Sequence, residues 1–205
     1  MLYQEFYKTW FKQACFTSNQ VYAWRSRFDK NNLGRWVKKG LLIRLRNGYY
    51  TFPEYLEESN FELYSANRIY KPSYISLHTA LAFHGLIPES IVQITSVTTL
   101  KTANFQNQFG AFTYKTIKPQ CFFGYDHLSF LKERSLLMAK PEKALLDLLY
   151  LYPFYQTGEE LKALRLDEDL LQEIVKVDSI LLYMVKFRNK ALEKRVKLLL
   201  NVYNL

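Results

Sequence analysis

Cysteine is scarce in this 205-residue chain: Cys15 and Cys121 stand far apart, outside any CxxC spacing and without histidine partners nearby. Neither a zinc site nor a disulfide framework follows, so two buried, reduced thiols are expected. Long apolar runs are also missing. Residues Ile180 to Val185, and Leu145 to Tyr152 with Asp147 interrupting, fall far short of the roughly 20 residues needed to cross a bilayer. The segment after Met1 lacks the basic, apolar, small-residue order of a signal peptide. A soluble, cytoplasmic protein with no membrane partner is therefore expected. No Gly-rich phosphate loop, Walker motif or dinucleotide fingerprint occurs, nor does a Gly-x-Ser-x-Gly elbow. No cofactor and no metal are expected. Internal repeats and low-complexity segments are absent too.

What is present is core-forming material. Hydrophobic residues make up 49% and aromatics 17%, a composition that excludes disorder and can bury a substantial interior. The net charge of +9 is unevenly placed. Residues 1–53 hold ten bases against two acids, Glu5 and Asp29, whereas residues 54–157 hold nine of each and residues 158–205 nine bases and eight acids. The excess sits in the first quarter of the chain, which marks that segment as a contact surface for a polyanion.

The periodicity of that segment is helical. Leu2, Phe6, Trp10 and Ala14 recur at i+4 and predict a first helix over Leu2 to Ala14. Thr17 or Ser18 is the expected cap of a second helix ending near Trp24, and Asp29 the cap of a third that Gly40 stops. At about 100° per residue from Asn31, Arg35 falls near about 40°, Lys38 near about 340° and Lys39 near about 80°. Leu33, Trp36 and Val37 fall at about 200°, 140° and 240° on the same wheel. One face is apolar and the opposite one is polar to basic.

After Gly40 the period changes to two. Ile43 and Leu45 share one face, Arg44 and Arg46 the other. Asn47-Gly48 then predicts a hairpin through a type I′ turn, which needs positive φ at both central residues. Three helices and a basic hairpin follow the winged helix-turn-helix order.

Residues 54–70, with Glu54, Glu57, Glu58 and Glu62, predict an acidic connecting helix. Residues 71–205 predict a mixed unit with a small sheet and a helical end. Ser76 is expected to cap a helix through His84. Strands are expected over Val92 to Leu100, Phe109 to Ile117 and Cys121 to Tyr125. Pro141 should open a helix from Glu142 to Tyr152, and the chain from Gly158 should be helical in three or four pieces. The fold class is α+β, with 1–53 as the DNA-binding domain, 54–70 as the connection and 71–205 as the larger domain.

The basic helix and hairpin form the most specific constellation. Arg matches guanine O6 and N7 in the major groove and Asn pairs with adenine, while Lys38 and Lys39 suit phosphates. The expected DNA-binding set is Asn31, Asn32, Arg35, Lys38, Lys39, Arg44, Arg46 and Asn47, with double-stranded DNA as partner. A basic face on a protein-docking winged helix is the plainer alternative. Ser76, His78, His84 and Asp147 could suggest a hydrolase, but Ser76 reads better as a cap. Asp126, Glu142, Lys143 and Asp147 could suggest a metal-dependent nuclease, but a helix-terminal charge cluster explains them more simply. The protein is read as a non-enzyme.

Three islands resemble a known family. Residues 39–50, from Lys39-Gly40-Leu41-Leu42 to Asn47-Gly48-Tyr49-Tyr50, are similar to the hairpin of the abortive-infection antitoxin (AbiEi-type) family. Tyr74-Ile75-Ser76 through His84-Gly85-Leu86 resembles its next motif, and Ala139-Lys140-Pro141-Glu142-Lys143-Ala144-Leu145-Leu146-Asp147 its third. The resemblance implies a bacterial two-domain protein whose winged helix represses its own operon at promoter repeats. It further implies a C-terminal domain that counters a nucleotidyltransferase-like toxin without obligate direct binding.

Overall fold

Phe6 and Trp10, one turn apart, are the buried face of α1 (Tyr3–Trp10). The computed structural model describes residues 2–88, 92–131 and 133–205. In it the first helix does not continue to Ala14 but tightens into a 3-10 turn over Phe11–Gln13. Ala14 adopts a φ of 57°, which ends the helix, and its carbonyl accepts from the buried Thr51 hydroxyl at 2.6 Å.

A short strand, β1 (Phe16–Thr17), leads into α2 (Ser18–Trp24). Thr17 and Gln20 form a reciprocal capping box there, as its Thr-x-x-Gln spacing allows. Helix α3 (Asn31–Lys38) follows. The Asp29 carboxylate accepts from the Asn31 N–H at 3.0 Å and the Asp29 carbonyl from the Asn32 N–H at 3.0 Å, so Asp29 satisfies two orphan donors from just outside the helix. Leu33 and Trp36 are its buried residues, and the Trp36 ring sits 4.7 Å from Phe6 and 5.4 Å from Tyr3. Gly40, at a φ of 69°, closes the helix.

Strands β2 (Ile43–Arg46) and β3 (Tyr49–Thr51) form the hairpin, and β1 adds to the far side of β3. The turn is not type I′: Gly48 has a φ of 77°, but Asn47 is not in the left-handed region. The pairing jumps from Arg44↔Tyr50 to Arg46↔Tyr49, so a bulge at Leu45 absorbs the difference.

Residues 54–70 are not one connecting helix. A 3-10 turn over Pro53–Glu57 and a left-handed Asn60 precede α4 (Phe61–Ile69), which is buried along most of its length. Stacked rings carry the core across this stretch: Tyr7 on Phe11 at 4.7 Å, Phe11 on Tyr55 at 5.1 Å, Tyr55 on Phe61 at 4.9 Å.

The larger sheet is mixed. Its strands are β4 (Ser73–Ile75), β5 (Gln93–Thr98), β6 (Ala103–Asn107), β7 (Gly110–Thr116), β8 (Tyr125–Phe130) and β9 (Arg134–Ala139). Their order is β6-β7-β5-β4-β9-β8, with β5 and β7 parallel, β4 and β9 parallel, and the other neighbours antiparallel. The strand expected over Cys121 to Tyr125 is instead a 3-10 turn, Pro119–Cys121, and a loop reaching β8. Helix α5 (Leu77–Phe83) lies between β4 and β5 in sequence. Pro141 opens α6 (Pro141–Leu151), whose residues from Glu142 to Leu149 are all buried. Helices α7 (Gly158–Lys162), α8 (Glu168–Ile174), α9 (Val177–Phe187) and α10 (Lys190–Val202) complete the chain, with α9 and α10 packed on α6. The architecture is α+β with a helical C-terminal end. No described helix is long and apolar enough to cross a membrane.

Candidate nucleic-acid interface

Helix α3 separates its residues as the wheel requires. Trp36 and Leu33 face inward, while Asn31, Arg35, Lys38 and Lys39 are exposed. Docking by Trp36 therefore fixes which side of the helix carries charge. Arg35 is oriented by its neighbours: Nη2 lies 3.2 Å from the Asp29 carboxylate and Nη1 donates to Asn32 Oδ1 at 3.1 Å. Both partners of that ion pair are about half exposed, so it is worth little and can be exchanged for a ligand. Lys38 and Lys39 form no ion pair with any described residue.

Arg44 is exposed between the buried Ile43 and Leu45. It borders a shallow recess of about 240 Å³ with Val37 and Gly40 from the end of α3 and Gln108 from the β6–β7 turn. The hairpin thus places Arg44 beside the C-terminal end of the basic helix. Asn47 is exposed at the turn.

Arg46 does not join them. Its guanidinium donates to the Ile69 carbonyl at 2.7 Å and lies over the rings of Phe105, Tyr49 and Tyr70 at 4.8, 5.0 and 5.5 Å. The bulge at Leu45 breaks the alternation that would have set Arg44 and Arg46 side by side. Arg46 fastens the hairpin to α4 and β6 instead, and Asn107 adds a bond to the Leu45 carbonyl at 3.0 Å. Among the flanking bases, Arg25 pairs with Glu5 at 3.1 Å and Lys30 sits 5.1 Å above the Tyr22 ring.

The other charged constellation lies inside the larger unit. Asp147 accepts from the Tyr74 and Ser76 hydroxyls, each at 2.8 Å, and from the Lys143 ammonium, which also donates to Tyr74 at 2.7 Å. Ser76 therefore does not cap α5 through its side chain; its hydroxyl is committed to Asp147. Leu77, the next residue, takes a φ of 58°, so the chain turns sharply to present that hydroxyl. Burial lowers the Lys143 pKa and raises those of Asp147 and Tyr74. All four groups are out of solvent.

The carboxylates of the nuclease alternative diverge. Glu142 accepts from the Lys176 N–H at 3.0 Å at the start of α9, Asp126 lies on the surface 3.5 Å from Lys140, and Asp147 is enclosed. Among the described residues no three His, Cys, Asp or Glu side chains gather as a metal ion requires. His84 donates through Nε2 to the Ala139 carbonyl at 2.8 Å, away from Ser76.

The i,i+4 spacing of Lys143 and Asp147 was visible in the sequence; their partners Tyr74 and Ser76, some seventy residues earlier, were not. No protein-family model matches the chain, and no curated protein matches it.

Proposed function

We propose that this protein is a DNA-binding transcriptional regulator, without enzymatic activity, whose first 53 residues act as a winged helix-turn-helix. Helix α3 enters the major groove. Asn31, Asn32 and Arg35 face base edges, Lys38 and Lys39 face phosphates, and Arg44 contacts the adjacent backbone. The observation that carries this reading is the outward placement of Arg35, Lys38 and Lys39 on α3, opposite a face anchored by Trp36, with Arg44 beside the helix's C-terminal end. Cations so placed release counterions when they meet DNA phosphates. Arg46 is left out of the reading surface, and the wing contributes one arginine instead of two.

Its more specific form is an antitoxin-like autorepressor. The resemblance of residues 39–50, 74–86 and 139–147 to the abortive-infection antitoxin family supports it. The second and third of these segments meet through Tyr74, Ser76, Lys143 and Asp147, which gives their separate likenesses one physical reason. On this reading the DNA is the protein's own promoter, probed at its repeats, and the larger unit counters a nucleotidyltransferase-like toxin.

The test is a titration of labelled promoter DNA with the full chain. The expected result is a retarded complex competed away by unlabelled promoter and poorly by unrelated DNA. An Arg35→Ala, Arg44→Ala, Lys38→Ala triple variant that binds the promoter unchanged overturns the assignment. Rescue of growth when the chain is co-expressed with a nucleotidyltransferase-like protein encoded beside it tests the antitoxin half separately.

A further inference from the structure

Between the end of α4 and the outer strands β8 and β9 lies a cleft of about 330 Å³, within the range of small-molecule sites (about 300–1,000 Å³). Its wall is chemically uneven. Arg68 and Lys71 line it, three residues apart, neither in an ion pair with a described residue. Burial and then the Arg68 charge push the Lys71 pKa down, the sign of two cations crowded without a counter-charge. Among the described residues no carboxylate lines the cleft, and Asp126 beside it pairs with Lys140.

The rings of Phe122 and Tyr125 also line it, 5.5 Å apart, both packed on the buried Tyr74 at 5.0 and 4.9 Å. The enclosed Lys143–Asp147 pair holds the Tyr74 hydroxyl beneath them. His127 and Ser135, paired across the strands at 3.4 Å, supply polar edges. Asn67 and Ser73 also line the wall. Each is buried and carries a side-chain polar atom, Nδ2 and Oγ, with no partner. A native interior rarely leaves such groups unpaired unless something else satisfies them.

We propose that this cleft binds a small anion carrying a flat ring, of the nucleoside monophosphate class. The phosphate lies on Arg68 and Lys71, and the base lies against Phe122 and Tyr125. Charge-assisted bonds from an arginine fix the anion, and ring stacking supplies the remaining contact. This site is independent of the DNA reading, because none of its residues belongs to the α3 surface.

Calorimetric titration of the full chain with AMP, GMP, CMP and UMP tests it, alongside the parent nucleosides and inorganic phosphate. At least one monophosphate is expected to bind with a Kd below about 1 mM, its nucleoside and inorganic phosphate at least about tenfold more weakly. Lys71→Gln, at an exposed position, should abolish binding without changing the melting temperature, and Tyr125→Ala should weaken it. Absence of binding by all four monophosphates overturns the proposal. So does binding that survives an Arg68→Gln, Lys71→Gln double variant, or equal affinity for inorganic phosphate. Loss of promoter affinity in Lys71→Gln, with no monophosphate bound by the wild type, would assign the two cations to DNA.

Discussion

Lys143 and Asp147 face one another across one turn of α6 with neither side chain exposed to solvent. A buried pair gains stability only if both partners remain, since a lone enclosed charge has no compensation. Asp147→Ala also strips Tyr74 and Ser76 of their acceptor. The expected loss is about 3–5 kcal/mol, read as a shift of the urea midpoint. A loss under about 1 kcal/mol would show that the four groups do not act together.

The reading surface and the fastening residue should separate in a salt series. Removing Lys38 or Arg44 should each lower the slope of log K against log salt by about one unit. Arg35→Ala should cost about 1–3 kcal/mol and relax base preference. Arg46→Ala should lower the melting temperature, because it loses the Ile69 carbonyl and three ring contacts, yet keep the slope. Fluorescence anisotropy over salt concentration measures these slopes. An unchanged slope in Lys38→Ala, or one lowered in Arg46→Ala, contradicts the placement.

Gly34 sits inside α3, and a Cβ there meets no heavy atom within 4 Å. Its backbone is helical, so alanine fits without strain. Gly34→Ala should stabilise the protein by about 0.4–1 kcal/mol through the unfolded chain's lost freedom. A lower melting temperature in the variant would refute the open surroundings.

Cys15 is packed against β1, and burial pushes its thiol pKa from 9.0 up to about 12, against the opposing pull of Arg68, Arg134 and Lys71. The unfolded chain therefore loses this proton first. The contribution to stability is complete below pH 9.0 and disappears as the pH rises towards about 12. Native protein should leave Cys15 unmodified by a thiol reagent in mild alkali, and urea should expose it. Rapid labelling of Cys15 in the native state would contradict this burial.

Local chemistry made much of the fold legible in advance. The Thr17–Gln20 box, the Trp36 face of α3, Gly40 at its end and Pro141 at the head of α6 are each specified within a few residues. Arg46 was misjudged for the opposite reason. Alternation of Arg44 and Arg46 implied a shared face, but a one-residue bulge redirected the second side chain onto Phe105, sixty residues away in sequence. Glutamates made 54–70 resemble one acidic connecting helix, whereas Phe61, Leu63, Tyr64 and Ala66 bury its second half as α4. The three-residue strand β4 depends on β5 and β9, far along the chain, so no local pattern revealed it.

The stacked rings of Tyr7, Phe11, Tyr55 and Phe61 tie α1 to the start of α4. A chain cut after Pro53 would lose Tyr55, and with it the hydroxyl that grips the Phe11 carbonyl at 2.8 Å. Because α1 also seats Trp36 through Phe6 and Tyr3, the same cut would leave the helix bearing Arg35 and Lys38 resting on an α1 stripped of its ring contacts to α4.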